Sequence, residues 1–166
     1  MSAGRIYIAV VGGSEADEAT CALAETVGQM LAHQGALVVC GGLGGVMEAA
    51  CRGARAGGGT TIGILPGLDR ASANPFVDVA IATGMGEARN ALVVRSADAL
   101  VAVGGEFGTL SEIALALRDG KPVIGLDTWE LRRGGQTVDA IVPATSAETA
   151  VDLAISLARA RLNHFV

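Results

Sequence analysis

Three short apolar runs in this chain end in glycine-rich turns, and each turn opens onto a helical periodicity. Residues 6–11 run into Gly12-Gly13-Ser14. Residues 37–40 run into Gly41-Gly42-Leu43-Gly44-Gly45. Residues 98–103 run into Gly104-Gly105-Glu106-Phe107-Gly108-Thr109. Few architectures admit this punctuation. Runs this short and this rich in Val and Ile fit strands buried on both faces, and glycine is needed where the chain must leave a strand sharply or approach a ligand.

The rest of the chain repeats the alternation. Ser14 is placed to cap a helix whose apolar positions are Ala16, Ala19, Leu23, Val27, Met30 and Leu31, stopped by Gly35. A second helix carries Val46, Met47, Ala50 and Ala54 on one face and ends at residues 57–59. Strands are expected at 61–65, 77–82 and 122–126, and a short edge strand within 137–142. A helix over 87–96 carries Arg89 and Asn90. Another, opened by Thr109, places Leu110, Ile113, Ala114 and Leu117 inward and ends at Gly120. Thr145-x-x-Glu148 is a capping-box pattern for a last helix reaching about Leu162. Loops are expected at 68–76 and 127–136. Strands alternating with helices predict a single α/β domain over residues 1–166, with a parallel sheet of about six to seven strands and helices on both faces. The glycine turns then gather at the carboxyl edge of the sheet, where open α/β folds bind ligands.

Composition narrows the partners. The chain is 51% hydrophobic and 17% charged, yet no apolar run approaches the ~20 residues of a membrane span. Met-Ser-Ala-Gly-Arg leads straight into the first strand, so no signal peptide is expected. Net charge is −5, no basic stripe exists, and Tyr7, Phe76, Phe107, Trp129 and Phe165 are the aromatic residues, a balance that argues against nucleic acid. Cys21, Cys40 and Cys51 sit among apolar neighbours and read as reduced thiols of a cytoplasmic protein, although Cys40 lies beside a glycine turn. His33 and His164 lack metal-ligand spacing, so no metal site is expected.

The chemistry concentrates in the glycine turns. A single turn is explained by backbone geometry alone; three on one sheet edge favour a phosphate or similar anion. None ends in the Gly-Lys-Ser/Thr of a phosphate loop, and the first lacks the G-x-G-x-x-G of dinucleotide folds. Arg89, opening a helix after a glycine loop, is suited to fork onto phosphate or carboxylate; its plainer reading is a surface arginine beside Glu87 or Asp119. Arg132, Arg133, Asp69, Arg70 and Asn74 read as solvated loop residues. Glu112 follows Thr109 by three, so spacing alone favours a capping box. The same carboxylate beside a phosphate pocket could stabilise positive charge at an anomeric carbon or orient a water.

Two stretches together resemble the LOG family, the "lysine decarboxylase-like" proteins. Its G-G-G-x-x-G-x-M-G segment is matched by Cys40-Gly-Gly-Leu-Gly-Gly-Val-Met-Glu48 at Gly41, Gly42, Gly45 and Met47. Its P-G-G-x-G-T-x-x-E segment is matched by residues 104–112 at Gly105, Gly108, Thr109 and Glu112. The family's Arg-Lys pair corresponds to Arg89-Asn90. The resemblance implies a Rossmann-like fold, a homodimer or homotetramer, and a bound nucleotide or related phosphorylated ligand. LOG enzymes are phosphoribohydrolases that release the base from cytokinin nucleoside 5′-monophosphates, and their catalytic Arg and Glu map onto Arg89 and Glu112. The implied ligand shell is Gly12, Gly13, Ser14, Gly41, Gly42, Gly45, Met47, Asn90, Gly105, Gly108 and Thr109, with no cofactor required. Gly104 stands where the family has proline, Glu106 where it has glycine, and Asn90 where it has lysine. The Arg89-Asn90 form and the shorter chain look closer to the branch containing the molybdenum cofactor carriers, which bind a phosphorylated pterin without transforming it. Hydrolysis of an N-glycosidic bond is the leading expectation and non-enzymatic carriage of molybdenum cofactor is the alternative.

Overall fold

The computed structural model of the protein describes residues 4–163; the predicted features at His164 and Phe165 lie outside them. The strands and helices come in chain order as β1 (Tyr7–Gly12), α1 (Glu18–His33), β2 (Leu37–Cys40), α2 (Val46–Ala56), β3 (Thr61–Leu65), β4 (Val79–Ala82), α3 (Asn90–Arg95), β5 (Ala99–Val103), α4 (Phe107–Arg118) and β6 (Val123–Leu126). A small antiparallel hairpin, β7 (Arg132–Arg133) with β8 (Gln136–Thr137), then precedes β9 (Val142–Pro143) and α5 (Ala147–Asn163).

Seven strands form one parallel sheet in the order β4-β3-β2-β1-β5-β6-β9. The chain builds outward from β1 to β4, then returns to place β5 on the other side of β1. Gly12 pairs in register with Val103, so the turns after β1 and β5 leave the sheet side by side. That reversal opens the crevice in which open α/β sheets hold ligands.

Alternation along the central strands divides the core. Ile8, Val10, Val101 and Val103 pack against α1, α2 and α5 on one face. Ala9, Val11, Leu100 and Ala102 pack against α3 and α4 on the other. All these strand residues are at most 1% exposed, as expected of parallel strands covered on both sides. α1 and α2 approach unusually closely. A Cβ on Gly28 would strike the Ala50 carbonyl, and one on Gly53 would strike the Glu25 carbonyl.

Several predicted boundaries move, each for a local reason. Asp17, not Ser14, caps α1: its carboxylate accepts from the Thr20 N–H at 2.7 Å, while Ser14 stays in the turn. Ser146, not Thr145, caps α5, accepting from the Thr149 N–H at 3.1 Å. β4 starts at Val79, since Asp78 is held at the preceding turn by Thr61. The helix expected over 87–96 opens as a 3-10 turn over Gly86–Arg89. The edge strand expected within 137–142 is β9, which begins at Val142. Asn74 is not solvated: it is 8% exposed, its amide donates to the Leu43 carbonyl, and its own N–H reaches the Gly42 carbonyl.

Candidate functional site

A cleft of about 250 Å³ opens at the carboxyl ends of β1, β2 and β5. Of the residues expected to form a ligand shell, Gly12, Gly13, Ser14, Gly41, Met47, Arg89, Asn90, Gly108, Thr109 and Glu112 line it. Gly42, Gly45 and Gly105 do not. Their glycine requirement is conformational. Gly45 has a φ of 61° with Gly13 and Ser14 packed against it, and Gly105 has a φ of 103° with Thr109 where a Cβ would stand. Leu43, Glu87 and Glu106 also line the cleft, although sequence patterning assigned them no ligand role.

The helix start decides the standing of Glu112. α4 begins at Phe107 with Glu106 in the N-cap position, three residues earlier than a capping box on Thr109 requires. Thr109 therefore sits at the third helical position and Glu112 in the second turn, so Glu112 caps nothing. Glu106 makes no side-chain cap either. The first hydrogen bond of α4 runs from the Leu110 N–H to the Glu106 carbonyl. The N–H groups of Phe107, Gly108 and Thr109 are thus left without helical partners, at the positive end of the dipole. α2 differs, because its Val46 N–H is taken by the Gly13 carbonyl at 3.0 Å.

Arg89 is 7% exposed, far from the surface arginine that composition allowed. Asp119, its suggested partner, pairs instead with Arg95 and Arg118. The Arg89 guanidinium occupies the space beside Gly41, where a Cβ would collide with it. Nη1 donates to Asn90 Oδ1 at 2.9 Å, and Asn90 Nδ2 lies 3.2 Å from Ser111 Oγ, which donates to the Gly108 carbonyl. Asn90 therefore anchors Arg89 to the first turn of α4. Arg89 Nε is buried without a hydrogen-bond partner, a costly state for a charged donor unless a ligand completes it.

Glu112 is 6% exposed and stands 4.0 Å from Arg89 Nη1. Burial pushes its carboxyl up to about 7, and the Arg89 charge pulls back against that rise. Burial also lowers the pKa of Arg89. Three carboxylates, from Glu87, Glu106 and Glu112, share the cleft with one guanidinium. Protonation of Glu112 near neutral pH therefore moves the balance toward anion binding.

Behind Gly41, Cys40 and Cys51 are buried free thiols with sulfurs 3.4 Å apart. The Gly42 N–H points at Cys40 Sγ. Among the described residues no group of three or more His, Cys, Asp or Glu is arranged to hold a metal, and no helix is long and apolar enough to cross a membrane.

Known proteins share this fold. An uncharacterised protein of Archaeoglobus fulgidus is 50% identical over 121 residues, covering 73% of this chain and 80% of the relative. The cytokinin riboside 5′-monophosphate phosphoribohydrolase of Mycobacterium tuberculosis is 34% identical over 116 residues, 64% of this chain and 62% of that one. The molybdenum cofactor binding protein of Rippkaea orientalis superposes with a TM-score of 0.83 at 36% identity, covering 93% of this chain and 98% of its own. The molybdenum cofactor carrier protein of Chlamydomonas reinhardtii gives 0.81 at 35%, covering 95% and 99%. Residues 5–158 match the SLOG cluster4 family, and the chain belongs to that family.

Proposed function

We propose that the cleft binds a small phosphorylated ligand and that the protein carries molybdenum cofactor without transforming it. One observation supports the binding reading above the others. The uncapped start of α4 and the Arg89 side chain line the same cleft, so dipole, N–H donors and guanidinium are available to one anion. The carrier reading is favoured because the likeness to the cofactor-binding structures runs nearly end to end. The likeness to the phosphoribohydrolase covers about two thirds of the chain. In this reading Gly108, Thr109 and the Gly12-Gly13 turn surround the phosphate and Arg89 forks onto it. The molybdenum-bearing part is cargo, released intact.

Glu112 favours a second reading. A buried carboxyl near 7, beside a cation and free of any capping role, is suited to place a water or stabilise charge at an anomeric carbon. Under that reading the protein cleaves the N-glycosidic bond of a nucleoside 5′-monophosphate. Incubation with AMP and cytokinin monophosphates separates the two. The carrier reading expects no free base, together with protection of added molybdenum cofactor from oxidative loss. Base release that disappears in Glu112→Ala would replace it with the hydrolase. Self-association into a homodimer or homotetramer and a cytoplasmic setting belong to the same proposal. Exposed Val79 and Ile81 on the edge strand β4, and free thiols at Cys40 and Cys51, support them.

A further inference from the structure

The cleft is smaller than the ~300–1,000 Å³ of pockets that enclose most of a ligand. A phosphorylated heterocycle held there by its phosphate must extend its ring beyond the rim. An aromatic pair stands next to the cleft, outside its lining residues. Phe107 lies between Glu106 and Gly108, both of which line the cleft, and is 78% exposed. Its ring stands against Trp129, centroids 5.6 Å apart and tilted by 41°. Trp129 is fixed from the loop after β6. Its indole N–H donates to the Glu106 carbonyl at 3.3 Å, and the neighbouring Thr128 hydroxyl donates to the Gly104 carbonyl. Trp129 also lines a second cleft of about 700 Å³, with Asp127, Thr128, Asp139 and Ile141. Trp129 therefore belongs to the second cleft, and Phe107 packs on it from the start of α4.

Nothing in the fold requires an exposed phenylalanine at the first position of α4. The N-terminal turn needs no side chain there, and Phe107 joins no core cluster. Resting on the anion-binding reading of the cleft, we infer that Phe107 and Trp129 form the platform on which the planar ring of the ligand stacks. The ligand class is then a phosphate ester carrying a flat heterocycle, a purine or a pterin, in preference to a sugar phosphate or free phosphate. Every such ring offers a π face, so stacking selects the class without selecting the base.

The chain has one tryptophan, so Trp129 reports directly on the platform. Calorimetric and fluorescence titrations with AMP, a pterin monophosphate, ribose 5-phosphate and inorganic phosphate test the inference. AMP and the pterin phosphate are expected to bind roughly tenfold tighter than ribose 5-phosphate and to perturb Trp129 emission. The AMP and pterin arms distinguish the two heterocycles. Phe107→Ala, at an exposed position, is expected to fold normally, weaken both heterocycles roughly tenfold and leave ribose 5-phosphate unchanged. Equal affinities for AMP, the pterin phosphate and ribose 5-phosphate, or an unaltered Phe107→Ala, overturn the platform while leaving the anion cleft standing. Failure of all four compounds to bind overturns the cleft reading and the platform with it. A Phe107→Ala variant that changes the sedimentation mass with unchanged affinities assigns the ring to a contact between copies and also overturns the inference.

Discussion

Arg89 and Glu112 form a buried pair in which neither charge is well neutralised, and the consequences are measurable. Glu112 has a folded pKa near 7 against an ordinary value of 4.5, so the folded state binds the proton more tightly than the unfolded chain. Its contribution to stability is therefore full below about pH 4.5 and is lost as pH rises through about 7. The shift corresponds to roughly 3 kcal/mol. Glu112→Gln should remove a loss of that order between pH 5 and 8, read from denaturant midpoints at each pH. Arg89→Met withdraws the charge that holds Glu112 down, so carboxyl titration followed by NMR should move above about 7. The same variant should weaken phosphate-ester binding by about 2 kcal/mol or more, because the charged donor is lost. An unmoved carboxyl titration would mean that the two groups do not interact at 4.0 Å.

At the scale of elements, the start of α4 and the contact between α1 and α2 matter most. Glu106 lines the anion cleft from the N-cap position without capping. Its carboxylate opposes the helix dipole's attraction for anions. Glu106→Gly should tighten phosphate-ester binding by about 0.5–1 kcal/mol at low ionic strength, and the gain should shrink with added salt. A variant whose improvement is independent of salt would show that Glu106 acts by shape instead. α1 meets α2 through Gly28 and Gly53, each facing a carbonyl of the other helix. Gly28→Ala leaves the methyl no room and should cost about 1–3 kcal/mol, although alanine favours helix. Thermal unfolding of that variant at or above the parental midpoint would refute the close approach.

For the whole molecule, the arrangement of strands explains why one edge carries the chemistry. β1 and β5 are adjacent and their turns diverge to opposite sides, so the crevice is a consequence of strand order. The far edge ends on β4, where Val79 and Ile81 are 47% and 46% exposed, with Leu68 at 88% and Met85 at 48% nearby. Such apolar exposure is more than a small solvated sheet edge needs. Sedimentation at micromolar concentration should give a mass at least twice the 16.6 kDa of the chain. Val79→Lys with Ile81→Lys should return it to a monomer if this edge makes the contact.

Local pattern alone determined much of this protein. The parallel α/β class, the number of sheet strands and the gathering of glycine turns at one edge all follow from short apolar runs punctuated by glycine. Those signals lie within a few residues of each other. The gathering of Gly12, Gly41 and Thr109 at one cleft follows from the same turns, whereas Glu112 is singled out through the family resemblance, its spacing alone favouring a cap. What tertiary structure decided was the meaning of particular side chains. Thr109-x-x-Glu112 has capping-box spacing, yet the chain enters α4 three residues earlier, because the tight turn at Gly104-Gly105 starts the helix at Phe107. Arg89 had two local readings, and burial against Gly41, a residue 48 positions away, selected the internal one. Asn90, read as a lost lysine, instead fixes Arg89 through contacts with Ser111 on another helix. The Phe107–Trp129 pair joins the start of α4 to the loop after β6, and no periodicity announces it. Burial and desolvation depend on which segments pack together, so the proton affinity of Glu112 and the unfilled Arg89 Nε emerge only when the sheet is assembled.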